Sequence, residues 1–530
     1  MATEYIPLDP LFLEGITMQT PLSKERSVGD MYGFILHKEL YKGFYGKELN
    51  QDYGDVRMAK YIFGFIKKLF KKIHFDRCIT CYNTEAFMNV ASAMRFLVVI
   101  ETQKVKSYLF ASPIMRETRG GSVLLDALNR KETKRILKEL GHVCYEEIYL
   151  GGGSGRVLFE NKHDAEKFKK AVLELYRQET VNARVSVEIV ERGNDESFTA
   201  WVSRGVMMTQ QSKLGRVEGV PVLAGRWIRP CTSCGSEPAE KALSEHGEHW
   251  LCLACSRKRE KVNELYKKIK PTERGSKVLK SSSELAPKYT DNFIFSTLAK
   301  YNEAVNCQVF LPQDFDDIGQ FSRPSNYMGF IYADGNRMGE TIKIIGRLFP
   351  KEEDAKRAYK AFSEIVDQAT REAAVEAVLK VVDFEEWKTA DGMYRSIPAE
   401  FIMAGGDDLM LAVPSHSAMD VAVLFIEGFQ EKTKKLQEDY VKNGKLPKSF
   451  GEEGLTTSAG VVIAHTHYPI SDLMTLAGEL MKIAKKKSAE LLPNKDVKRE
   501  RLTSWRCQRP AASLLRIVEL KNIRSNVAAV

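Results

Sequence analysis

The chain has 530 residues and a mass of 60.0 kDa, enough for three or four domains, since single hydrophobic cores stop growing well below that length. Hydrophobic residues make up 44% and charged residues 28%, which is ordinary globular usage, and no run approaches the roughly 18 apolar residues of a membrane span. A net charge of +9 suits a solvated surface or a polyanionic partner equally. The nine cysteines, four of them in a metal-type spacing, speak against a disulfide framework, and residues 1–5 lack the basic cap and apolar core of a secretion signal, so the expected compartment is the cytoplasm.

Residues 1–92 read as an N-terminal region with a helix at 58–73 that ends in a basic run. It contains only His37 and His74, too few for a metal nuclease, and a solitary Cys78-Ile79-Thr80-Cys81 pair that reads as packing. A first α+β unit is expected over 93–228. Its strand at 97–101 leads through Arg119-Gly120-Gly121 to a helix at 122–128. A hairpin follows, with strands 147–150 and 156–160 joined by Gly151-Gly152-Gly153-Ser154-Gly155, then a helix at 164–178 and a strand at 185–190. His163-Asp164 falls where that helix begins and reads as capping.

Cys231-Thr232-Ser233-Cys234 and Cys252-Leu253-Ala254-Cys255, with 17 residues between them, predict two knuckles holding a tetrahedral structural zinc within 229–275. Four thiolates leave no open position for catalysis. A basic, Ser-rich stretch at 256–290 reads as a helix running into a linker, set at 276–325.

The order of the first unit then returns over 326–488. It runs from a strand at 329–334 to a long helix at 352–382, a strand at 400–404, the turn Gly405-Gly406-Asp407-Asp408 and a strand at 409–413. A helix at 419–438, a strand at 456–465 and a helix at 472–487 complete it. Two copies of one strand–helix–hairpin–helix–strand unit predict a duplicated ferredoxin-like palm. Residues 489–530 stay unassigned, with one apolar run at 514–520.

Phosphoryl-transfer sites hold two divalent ions about 4 Å apart on carboxylates fixed to rigid backbone. The tip Gly405-Gly406-Asp407-Asp408 supplies two carboxylates on a tight turn, and Asp334, ending the strand before Gly335-Asn336, supplies a third. Exposed amides of Gly335, Asn336, Gly405 and Gly406 are candidates to approach phosphate oxygens. Lys485 on the last helix is a candidate counter-charge for a triphosphate, or simply a cation favoured at a helix end.

With these residues in place, the chain over 95–488 resembles the large polymerase-like subunit of type III CRISPR effector complexes. The resemblance rests on Ile100-Glu101-Thr102, Phe110, Arg119-Gly120-Gly121-Ser122, Leu124-Leu125-Asp126 and Leu150-Gly151-Gly152-Gly153 in the first palm. The zinc knuckles follow, and then Ala333-Asp334-Gly335-Asn336-Arg337-Met338-Gly339, Ala404 to Asp408, Ser458-Ala459-Gly460 and Ile463-Ala464-His465. It implies two palms, of which only the second carries the acidic tip, and synthesis of cyclic oligoadenylates from ATP on target-RNA binding by a guide-RNA complex. Asp334, Asp407 and Asp408 then hold Mg or Mn, Lys485 meets phosphate, Ser458 lies near the nucleotide, and Gly151, Gly152 and Gly153 form a second, non-catalytic nucleotide subsite. Three departures are visible: no N-terminal HD nuclease signature, hence no DNA cleavage; Asn336 where a second Asp is frequent; and no recognisable C-terminal helical domain. A nucleotide-binding scaffold of a guide-RNA complex, and a free-standing cyclase making another messenger, remain the alternatives.

Overall fold

The run Phe96–Gln103 forms strand β1, in which Leu97, Val98, Val99 and Ile100 are all buried. A strand apolar on both sides belongs in the middle of a sheet covered on both faces, and β1 occupies that place. It pairs antiparallel with β3 (Ser154–Phe159) and β4 (Arg184–Glu191), and β3 pairs antiparallel with β2 (Tyr145–Gly151). Between β1 and β2 lie helices α1 (Val105–Leu109), α2 (Met115–Ala127) and α3 (Thr133–Glu139), the last two joined by a π-helical turn, Leu128–Glu132. Helix α4 (Lys162–Thr180) connects β3 to β4, and α5 (Phe198–Leu214) covers the opposite face. The side chain of Asn161 caps α4 by accepting from the N–H of Asp164 at 2.9 Å, so the cap lies two residues before His163.

In this computed structural model the described residues are 94–214 except 142, 228–243, 249–266, 307–310, 312, 314–383, 385–389, 392–444, 446, 454–491 and 517–519. They fall within one unit, Cys78–Val530. The expected helix at 58–73, the Cys78 and Cys81 pair, His37, His74 and the basic stretch beyond 266 lie outside the described residues.

The second palm repeats the first strand for strand. Its sheet runs β11 (Glu400–Gly405), β12 (Asp408–Pro414), β8 (Tyr327–Gly335), β13 (Thr457–His465), matching the order β2-β3-β1-β4, and every one of these neighbours is antiparallel. A short strand β14 (Ile517–Glu519), inside the predicted apolar run, adds in parallel to β13. Helices α8 (Met338–Leu348) and α9 (Glu352–Val381) connect β8 to β11, α10 (Ala418–Lys442) connects β12 to β13, and α11 (Ile470–Leu491) follows. The palms share one hydrophobic cluster: Phe110 meets Phe330 edge to face, with ring centroids 6.2 Å apart.

Four features depart from the sequence reading. Arg119-Gly120-Gly121 lies inside α2 rather than leading to a helix. Gly120 is there because a Cβ would come within 2.0 Å of the carbonyl oxygen of Lys258, so the residue permits close helix packing. Helix α8 is an added element, its Gly339, Thr341 and Ile342 being weak helix formers. A three-stranded sheet of β7 (Cys307–Phe310), β10 (Gly392–Ser396) and β9 (Glu385–Thr389) is also added, although Asp391-Gly392 is a hairpin signal. Within the expected linker, β7 is followed by α7 (Phe315–Gln320). Asp314 caps that helix, and its Phe315 and Ile318 enter the core.

The four cysteines sit on a small module with hairpin β5 (Lys241–Leu243) and β6 (His249–Leu251) and helix α6 (Leu253–Tyr266). Their sulfurs all lie within 4.8 Å of one another, the one such metal-ligand group among the described residues, and this donor set fits zinc. The module is clasped to the first palm. Ser233, between two ligands, donates to the buried carboxylate of Glu117 at 2.9 Å, Arg259 donates to the same oxygen at 2.5 Å, and buried Lys258 donates to the carbonyl of Tyr108.

Candidate functional site

Strand periodicity decides where the acidic residues face. On β8, Met328, Phe330 and Tyr332 pack in the cluster that includes α11, whereas Ile331 and Ala333 pack under α9 and α10. Asp334 has the parity of Tyr332 and therefore faces α11. There Lys485 donates to Asp334 Oδ2 at 2.7 Å and to the carbonyl of Gly335 at 2.8 Å. Helix α11 can approach because β13 carries Gly460, whose Cβ would fall 2.1 Å from the carbonyl oxygen of Ala477.

Strands β11 and β12 close through Gly406-Asp407, with Gly405 opposite Asp408 and Leu409 opposite Ala333. Gly406 has φ +61, the left-handed region that glycine tolerates and that a two-residue turn requires. Continued one residue past Leu409, the register sets Asp408 beside Asp334, while the side chain of Asp407 approaches the position a Cβ on Gly335 would occupy, 2.8 Å away. Burial and the neighbouring Asp334 push the Asp407 carboxyl up to about 6. Burial, then Asp334 and Asp407, push that of Asp408 up to about 7. Three half-buried acids with this little counter-charge form a donor set of oxygen atoms suited to Mg or Mn, although their oxygens are not drawn together as tightly as the four sulfurs.

The other nucleotide candidates separate. Ser458 lies opposite Asp334 but is fully buried, and its hydroxyl donates to Asn336 Oδ1 at 3.0 Å. Asn336 also donates its backbone N–H to Thr456 O at 2.8 Å, so that amide braces the strand ends instead of facing a ligand. Gly152 and Gly153, with φ +56 and +80, line a cavity of about 520 Å³ between the palms, together with Gly405, Asp408, Lys104 and Lys106. Gly151 instead lies against Arg130 and Tyr149.

Two site residues escaped the sequence reading. Lys106, on α1 of the first palm, donates to the Tyr332 hydroxyl with its ammonium 4.0 Å from the ring centroid, and Tyr332 in turn donates to Asp408 Oδ1 at 3.5 Å. Burial lowers the Lys106 pKa while Asp408 and Asp334 oppose the fall. The available signal was positional: Lys104 and Lys106 lie just past the central strand of the first repeat, in which Glu101 holds the register position that Asp334 holds in the second.

Residues 327–491 match the family model described as Cas10/Cmr2, second palm domain. The acidic hairpin therefore lies within the segment that matches this palm model. No curated protein matches the chain. Among solved structures the chain is similar to a Csm1-Csm4 cassette in complex with cA4 (14% identity, 74% of this chain and 53% of that one, TM-score 0.43). It is similar also to the cassette in complex with pppApA (14%, 76% and 55%, 0.44) and to Csm1 in T.onnurineus (14%, 74% and 52%, 0.42). This chain spans about half the length of those it matches. The matched segment brings Asp334, Asp407, Asp408 and Lys485 together, and the first palm adds Lys106. Among the described residues no helix is long and apolar enough to cross a membrane.

Proposed function

We propose that the chain is the large subunit of a type III CRISPR effector and joins ATP 3′ to 5′ into cyclic oligoadenylates when its guide-RNA complex binds target RNA. The observation that carries this reading is the cavity of about 520 Å³ between the palms, with Asp408 and Gly405 on one wall and Gly152, Gly153 and Lys106 on the other. That volume is within the usual range for small-ligand sites, roughly 300 to 1,000 Å³.

Asp334, Asp407 and Asp408 would hold Mg or Mn, which when bound supplies a lowered pKa for the attacking hydroxyl and charge neutralisation for the triphosphate. Lys485, whose Nζ lies 2.7 Å from Asp334 Oδ2, would meet the phosphate oxygens beside the three carboxylates. Lys106 would meet the nucleotide from the first palm, so that both palms grip the reacting groups. The tips at Gly152 and Gly406 abut, and a Cβ on Gly152 would collide with the Gly406 backbone, so the two tips close one end of the cavity. The four cysteines would hold zinc as a structural ion, outside the chemistry.

The test is to supply ATP with Mg or Mn to the chain assembled with its guide-RNA complex and target RNA, and to identify products by mass spectrometry. Cyclic oligoadenylates are expected, and an Asp407→Asn, Asp408→Asn variant should make none. Undiminished product from that variant removes the site from consideration. ATP binding without turnover in the assembled complex would point to a scaffold, and product from the chain without RNA would point to a free-standing cyclase.

A further inference from the structure

The acidic hairpin is held from behind by a buried ionic chain that begins in the other palm. Asp367, on α9, is 3% exposed, and its Oδ1 accepts the backbone N–H of Gly406 at 3.0 Å. The same carboxylate receives both terminal nitrogens of Arg130 of the first palm, at 2.7 and 3.0 Å, and a further bond from Arg371 one helical turn on. Arg130 is steadied by Asp126, to which its Nε donates at 2.8 Å.

Two features of the first palm are shaped around this contact. Arg130 sits in the π-helical turn Leu128–Glu132, the irregularity between α2 and α3 that frequently marks a functional position. Gly151 lets the Arg130 guanidinium pass close by, since a Cβ there would lie 2.9 Å from it. At the tip itself, a Cβ on Gly152 would fall 2.7 Å from the Gly406 nitrogen. The turn that presents Asp407 and Asp408 is thus bounded by first-palm backbone on one side and by an anion paired with a first-palm cation on the other.

We infer that Arg130 and Asp367 are positioning residues that make the conformation of the Gly405–Asp408 turn depend on docking of the first palm. The inference deepens the proposed function and rests on it for its catalytic consequence. A carboxylate that loses Arg130 keeps an uncompensated share of its charge in a buried place. It can then recover by turning Oδ1 as well as Oδ2 onto Arg371 and releasing Gly406, which moves both aspartates.

The experiment measures amide exchange at Gly406 in nucleotide-free protein, together with kcat and KM for ATP in the assembled complex. Asp367→Ala and Arg130→Met should each speed Gly406 exchange about tenfold or more, the scale of losing one hydrogen bond to a charged group. They should lower kcat by a similar factor of about ten, leaving KM within about twofold, because the turn is misplaced while the nucleotide pocket persists. Glu146→Gln is the control. It weakens another ion pair across the palms, with Lys356 on the same α9 at 3.0 Å, without touching the turn, and it should lower Tm while leaving Gly406 exchange and kcat as they were. If Asp367→Ala does not fold, Asp367→Asn, which keeps an acceptor for Gly406 but weakens the guanidinium pairing, should show an intermediate loss. Unchanged Gly406 exchange in the folded Asp367 and Arg130 variants overturns the inference, as does Glu146→Gln reproducing their effect. If wild-type protein makes no product while the exchange differences appear, the catalytic reading fails and the positioning role stands.

Discussion

Asp407 and Asp408 carry an electrostatic cost that the metal-free protein should display. Their carboxyls titrate at about 6 and about 7, above the ordinary 3.8, so between those values the folded chain holds protons that the unfolded chain has released. The contribution of these two carboxyls to stability is therefore greatest below about pH 4 and falls as pH rises through 7. Thermal denaturation without added Mg or Mn should find Asp407→Asn, Asp408→Asn as stable as wild type near pH 4 and more stable above pH 7. A constant difference across that range would show that the two acids are not strained by their setting. Lys485 is the second residue-scale test. Replacing it with Met removes the only ammonium seen on Asp334 among the described contacts, and initial rates should fall about 100-fold, the scale of losing one preorganised charge on a transferring phosphoryl group. Rates within twofold of wild type would assign Lys485 to the helix end alone.

At the scale of elements, the two hairpin tips are where the repeats meet, and their glycines were legible in the sequence while their mutual contact was not. Gly151 to Gly153 read as a carboxylate-free twin of the acidic tip, a second nucleotide subsite by resemblance. The structure adds that Gly152 abuts Gly406, a pairing that no local pattern encodes because it depends on how two sheets face one another. Gly152→Ala meets both strain at φ +56 and collision with Gly406, and should cost about 2 to 4 kcal/mol in urea denaturation, strain and overpacking together. Gly141→Ala, at φ +76 with nothing within 4 Å, meets strain alone and should cost only about 1 to 2 kcal/mol. Equal costs would mean that the tips do not press on each other. Helix α8 and the β7-β10-β9 sheet went unread for a different reason: each is short, and α8 takes its stability from the palms that Ile342 and Ile345 pack against rather than from its own periodicity.

For the whole molecule, the cysteine module is bound to the site through the first palm. Ser233 and Arg259 hold Glu117 on α2, Lys258 holds the end of α1 at Tyr108, and α1 carries Lys106 to Tyr332. We expect one zinc per chain by elemental analysis. Stripping it with a thiol-modifying agent should speed amide exchange across α1 and α2 while leaving the sheet β11-β12-β8-β13 protected. Exchange unchanged in α1 would mean that the module is an independent appendage.

The sequence by itself determined the chemistry that is contiguous: a Gly-Gly-Asp-Asp turn between two apolar strands, an aspartate ending the central strand, two cysteine knuckles, and one unit written twice. Such signals are local because turns, strand ends and knuckles are made by residues within a few positions of each other. Only the tertiary structure decided which of them face one another. Lys106 reaches Tyr332 across 226 positions, Arg130 reaches Asp367 across 237, and Ser458, a nucleotide candidate in the sequence, is turned inward to Asn336. Those outcomes follow from the parity of strands and the angle at which two palms dock, and both are properties of packed sheets rather than of any segment.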